Sequence, residues 1–220
     1  VRAYLPPGRW VEQNVSAAVS GLGLPVTAAN NVVCVTEYER RFGCATGLSS
    51  GVSVLVRYGI GAALFANGHF VIGDGAVAGE LGHMCIDSSG PVCTCGQHGC
   101  LDAYASGRVW PASANGGGSQ AERDVRTRAE ALGLGLGNLL KLFHPGAVVL
   151  NGIYNPYADT AGPVLERVLH RQLEPLGLPV PELVFGEPAD FKASMGAALR
   201  AADAFLEPYL ARLGSRRTAP

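Results

Sequence analysis

Three cysteines, Cys93, Cys95 and Cys100, fall in the stretch "CTCGQHGC", and His83 precedes the first of them in "GELGHM". Three thiolates and one imidazole make a Cys3His set, which suits tetrahedral Zn2+. With all four positions taken by protein, no site remains for an activated water, so the metal would be structural. The Cys-x-Cys spacing lets two sulfurs reach one ion across a tight turn, while Gly96 and Gly99 let the backbone fold back and deliver Cys100. Buried free thiols, or a disulfide such as Cys93 with Cys100, are the plainer alternatives. Cys34, Cys44 and Cys85 stand apart from the cluster and are expected in the core.

The elements that must carry these residues follow from periodicity. "VRAYLPP" reads as a short strand, a weak helical stretch follows "PPGRW", and "LPVTAAN" reads as a buried strand. A helix from Asn30 through "NVVCVTEYERRFG" places Val33, Val35 and Tyr38 on one side and stops at Gly43. "GVSVLVRYGIGAALFANGHFVIGDG" has the pattern of a β-hairpin turning at Asn67-Gly68. The cysteine segment is an irregular loop leading into a short helix at "LDAYAS", and "ASANGGGSQ" is a flexible connector by composition.

Beyond that connector a long helix spans about Ala121 to Phe143, with Val125, Leu132, Leu136, Leu139 and Leu140 as its apolar stripe. "AVVLNG" is a strand of the parallel type buried on two sides. A helix near Thr160 to Gln172, a strand at "ELVFG" and a closing helix from about Phe191 to Leu206 complete an α/β chain without internal repeats.

Composition narrows the class. The chain has 220 residues and is 48% apolar, ample for a real core. Its 17 basic and 18 acidic residues leave a formal charge of -1, so no basic field exists to hold nucleic acid or an anionic membrane, and a DNA contact would lie outside this chain. No apolar run is long enough to span a bilayer and "VRAYLPPGRW" lacks the pattern of a signal peptide, so a cytoplasmic location is expected. A reducing compartment favours metal binding over disulfides for a cysteine cluster.

At this point the residues resemble the ROK family, which groups repressors and sugar kinases. The resemblance runs from "VRYGIGAAL" to "GELGH" and through "CTCGQHGC". It continues at "PVTAANNVVCVTEYERRFG", "LGLGLGNLLKLFHPGAVVLNG" and "MGAALRAADAFL". It implies the C-terminal part of an actin-like ATPase fold, of the ribonuclease H-like, sugar-kinase type, with an inserted zinc-binding loop at 83–100. By the same resemblance residues 1–220 form a C-terminal sugar-binding and oligomerisation domain. The family's N-terminal Asp-x-Gly phosphate loop has no counterpart, since no aspartate precedes Asp74.

The resemblance also sets up a test of kinase chemistry. Family kinases carry a base aspartate in a Glu-Asn-Asp motif, and the matching positions here are Ala29, Asn30 and Asn31. An amide at Asn31 cannot accept the proton, though it can still hydrogen-bond a hydroxyl. A phosphate-contacting Gly-Thr-Gly-Ile-Gly stretch is replaced by Arg57-Tyr58-Gly59-Ile60-Gly61, and a glycine pair by Asn151-Gly152. The sugar pocket is better kept: the resemblance implies that Asn30, Asn31, Glu80, His83 and Asp102 face a sugar, with Asp102 where the family usually has glutamate.

These features together resemble those of the regulator branch of the NagC/XylR type, which carries an N-terminal winged helix-turn-helix. The expectation is a kinase-inactive effector domain of a repressor. It would bind a sugar or sugar phosphate, hold structural Zn2+ on His83, Cys93, Cys95 and Cys100, and form a homodimer or tetramer. It would contact DNA only through a domain absent from this chain, and would touch no membrane. An ATP-dependent, glucokinase-like sugar kinase lacking its N-terminal part is the alternative.

Overall fold

The computed structural model describes residues 3–5, 8–10, 15–74, 79–110 and 118–215. Its centre is a mixed five-stranded sheet in the order β5-β4-β3-β6-β7. Strands β3 (Gly51–Val56), β4 (Ile60–Ala66) and β5 (His69–Val71) form an antiparallel meander, and β6 (Ala147–Gly152) and β7 (Glu182–Phe185) extend it in parallel from β3. A separate ribbon pairs β1 (Ala3–Leu5) with β2 (Gly8–Trp10), and a single helical turn, α1 (Val15–Ala18), follows.

Two helical layers explain why β3 and β6 read as nearly continuous apolar runs. Val52, Val54 and Val56 alternate onto one face, where they meet α4 (Gly118–Leu142) and α5 (Ala158–Leu173) through Leu132, Leu136, Leu140, Leu165 and Leu169. Leu55 and Ala63 take the other face, under Val32 and Val35 of α2 (Asn31–Phe42). Both sides of the central strands are therefore buried, as parallel sheets require. The β4–β5 turn is the expected one, with Asn67 and Gly68 both at positive φ. Arg40 of α2 closes over it, donating to the Gly68 carbonyl at 2.7 Å and lying above the Phe65 and Phe70 rings.

Some expectations are corrected. "LPVTAAN" is exposed, irregular chain and not a buried strand. Both edges of β3 are taken by β4 and β6, and the segment does not pair with the outer strands β5 or β7 either. In α2 the buried residues are Val32, Cys34, Val35, Thr36, Glu37 and Glu39, with Val33 and Tyr38 only partly covered. The long helix begins at Gly118, so residues 118–120 of the expected connector are helical; residues 112–117 of it lie outside the described residues. The closing helix, α6 (Lys192–Ser215), runs past Leu206. Cys34 is buried and Cys44 partly so, but Cys85 is exposed, because its segment forms the outer edge of the cysteine loop through a backbone bridge to Cys100.

Candidate functional site

The cysteine loop folds as a knuckle. An isolated bridge pairs Val92 with His98, and the Cys93 N–H donates to the Gln97 carbonyl at 2.7 Å. His83 ends a single 3-10 turn, Leu81–His83, and Cys100 leads directly into Leu101 and α3 (Asp102–Ala105). Gly135 of α4 allows the close approach of Leu101, whose side chain would lie 2.6 Å from a Cβ there, and so seats the end of the knuckle on the core.

The ligand atoms of His83, Cys93, Cys95 and Cys100 all lie within 4.8 Å of one another. Cys93 Sγ is 3.6 Å from His83 Nδ1, and Cys95 Sγ is 3.6 Å from Cys100 Sγ. A tetrahedral ion bound at about 2.3 Å to sulfur and about 2.0 Å to nitrogen spaces its ligand atoms by roughly 3.5–3.8 Å. The donor set therefore suits a metal ion in chemistry, and two of its ligand-atom pairs already stand at that spacing. Burial opposes ionisation of Cys93, but hydrogen bonds from Cys95, His83 and Cys100 outweigh it and bring the thiol down to about 7. Burial, reinforced by the neighbouring Cys95 and Cys93, pushes Cys100 up to about 12.

Beside the knuckle lies a cavity of about 400 Å³. All five residues singled out as sugar contacts line it: Asn30, Asn31, Glu80, His83 and Asp102. Asn30 is the N-cap of α2, its side-chain oxygen accepting the Val32 N–H at 3.1 Å, so capping and exposure to the cavity coexist. Asn31 is the first helical residue and is exposed, as is Glu80. Asp102 differs: it is 4% exposed, its Oδ1 accepts the Ile60 N–H at 2.7 Å, and its Oδ2 is paired with the Arg108 guanidinium.

Sequence reasoning missed Arg108 and Thr94, which also line the cavity. Arg108 sits on the 3-10 turn Gly107–Val109, and no spacing rule marks it, because its significance arises from the turn that carries it back toward Asp102.

A second cavity, about 250 Å³, opens at the C-terminal ends of β3 and β6 and is lined by Arg57, Asn151, Glu187, Asp190 and Lys192, among others. Here Lys192, at the start of α6, is buried and donates to Glu39 Oε1 at 2.6 Å, to Asn151 Oδ1 at 3.4 Å and to the Glu187 carbonyl. Glu39 Oε2 in turn accepts the Cys44 N–H at 3.1 Å. Burial, then the adjoining Glu39 charge and hydrogen bond, raise the Cys44 thiol to about 12. Asn151, expected as a replaced glycine, is thus drawn into an internal polar network that sequence reasoning did not find.

Comparison with known proteins places these observations. A family model described as "ROK family" matches residues 6–116. The chain is 28% identical over 192 residues to the xylose repressor of Bacillus subtilis, covering 79% of this chain and 50% of that protein. It is 36% identical over 129 residues to the N-acetylmannosamine kinase of Escherichia coli O157:H7, covering 58% of this chain and 43% of that protein. It therefore spans about half the length, or less, of these curated relatives.

Among solved structures it matches a ROK hexokinase from Thermus thermophilus with a TM-score of 0.71 and 31% identity, covering 82% of this chain and 66% of that one. It also matches a ROK family transcriptional regulator, a homologue of the E. coli MLC protein, with a TM-score of 0.71 and 25% identity, covering 84% and 53%. Repressors and sugar kinases thus stand side by side among its relatives.

Proposed function

The chain belongs to the ROK family, and from that premise we propose that it is the sugar-sensing and oligomerisation part of a transcriptional repressor without kinase activity. The observation that carries this reading is the amide at the head of α2. Transfer of a phosphoryl group to a sugar hydroxyl requires a base that takes the proton as the bond forms. Asn31 stands on the cavity where the family resemblance expects that base, and an amide has no basic lone pair to offer. Asp102, the cavity's buried carboxylate, already accepts two hydrogen bonds.

In this reading Asn30, Asn31 and Glu80 hydrogen-bond the ligand's hydroxyls, with His83 and Asp102 completing the wall. Zn2+ on His83, Cys93, Cys95 and Cys100 supplies structural rigidity when bound. Because Nδ1 is the ring nitrogen beside the sulfurs, Nε2 of His83 is left over for the cavity that the residue lines. Residues 1–220 act as the C-terminal domain of a homodimer or tetramer, inside the cell; the ligand binds one of two domain arrangements more tightly, and the affinity of a DNA-binding domain outside this chain changes by the same coupling energy.

The test uses the full-length protein. Titration calorimetry with glucose, xylose and N-acetylmannosamine, followed by DNA-binding assays with and without the sugar that binds, should show sugar-dependent loss of DNA affinity. ADP release in the presence of ATP and the same sugars should stay at background. Brisk sugar-dependent ADP release would favour the kinase alternative, which the N-acetylmannosamine kinase likeness supports.

A further inference from the structure

At Asp102 the cavity turns a donor toward its ligand where the family resemblance expects an acceptor. Both Asp102 oxygens are engaged within the protein, one by the Ile60 N–H at 2.7 Å and the other by Arg108, and the side chain is only 5% exposed. Gly82 makes room for this inward seat, since a Cβ there would lie 2.4 Å from Asp102 Oδ1. What faces the cavity beside it is the guanidinium of Arg108, whose side chain is 17% exposed.

Arg108 is held in place from two sides, by the ion pair with Asp102 and by the Tyr58 ring, 4.9 Å from its Cζ. Only Nη2 bonds Asp102, and a guanidinium carries five N–H donors and no acceptor. Arg57 adds a second guanidinium to the same cavity, half-exposed and 3.5 Å from the exposed Asp190. Glu80 is the exposed carboxylate left to accept from hydroxyls.

We infer that Arg108 is a specificity-determining residue and that the ligand of this cavity is an anionic sugar, carrying a phosphate or carboxylate that accepts from the Arg108 fork. The inference rests on the sugar-binding reading above and narrows its ligand class. A planar fork meets the two anionic oxygens of a carboxylate or phosphate with two parallel, charge-assisted bonds, a match that a single neutral hydroxyl oxygen does not offer. Tyr58, in place of a small hydroxyl residue, serves as the platform that keeps the fork aimed.

The experiment is titration of the full-length, zinc-loaded protein with neutral and anionic partners: glucose with glucose 6-phosphate and glucuronate, and N-acetylmannosamine with its 6-phosphate. Inorganic phosphate is the control for an anion alone. At least one anionic member should bind about tenfold or more tightly than its neutral parent, the size of one charge-assisted hydrogen bond. Arg108→Gln should bring that ratio close to one, and Arg108→Lys, which keeps the charge but not the fork, should recover only part of it.

Because Arg108→Gln strands the Asp102 carboxylate, the double variant Asp102→Asn/Arg108→Gln provides a neutral pair in which the same loss of preference must appear. Neutral sugars binding as tightly as their anionic partners, or an anionic preference that survives the double variant, would overturn the inference and leave the sugar-binding reading standing. Binding of phosphate alone with the affinity of the sugar phosphate would also overturn it, since the cavity would then recognise only the anion. No binding by any sugar would overturn the sugar-binding reading, and the inference with it.

Discussion

At the scale of single residues, chemistry is decided by what each side chain is already bonded to. Asn31→Asp restores a carboxylate at the head of α2, yet in the full-length protein it should leave ATP-dependent sugar phosphorylation at background in an ADP-release assay. Tyr58 and Asn151 still occupy the positions of small residues, and Asn151 is held by Lys192; turnover rising by the roughly 100-fold or more that a general base contributes would show the nucleotide site to be intact. The cysteines outside the knuckle give a second check. Cys85 is exposed, while burial raises the thiols of Cys34 and Cys44, the latter to about 12. Brief treatment with iodoacetamide, read by peptide mass, should therefore label Cys85 well ahead of the other two, because the thiolate is the reacting species. The clustering of His83, Cys93, Cys95 and Cys100 was legible in the sequence because their spacing is local. Arg108 was not, because an arginine becomes a site residue only when a turn brings it to a carboxylate.

Elements were legible where their period was strong and unbroken. The strands β3, β4 and β6 and the helices α4 and α5 follow the apolar pattern because each is covered on a face that the pattern can encode. "LPVTAAN" carries the same local signal and is not a strand, since strand formation also needs a partner edge that the rest of the fold brings alongside, which local sequence does not specify. The tie between α2 and α6 was equally hidden: Lys192 and Glu39 lie 153 residues apart in the chain and bond at 2.6 Å. Replacing Lys192 by Met should destabilise the fold by roughly 3–5 kcal/mol, since Glu39 is left charged and buried without a partner. The double variant Glu39→Gln/Lys192→Met should recover a large part of that loss. Denaturant unfolding of the two single variants and the double variant measures this coupling directly, and additive losses would mean that the pair contributes nothing as a pair.

For the whole molecule, the knuckle and the sheet both border the cavity. Chelation should release one Zn2+ per chain, seen with a colorimetric indicator, and should lower the melting temperature; Cys95→Ser should reproduce the effect. Unchanged melting after complete metal removal would mean that the knuckle holds without an ion. The fold class was readable from the alternation of strands and helices, whereas the meeting of two cavities on one wall was not, because it depends on where β3 ends in space. That wall is Leu55 and Arg57, which line both the cavity of about 400 Å³ and the one of about 250 Å³. Two rooms that share a partition also share their floor area. The Arg57 guanidinium stands in that partition with its hand on Asp190, so a guest that draws it to one side also reshapes the wall of the other.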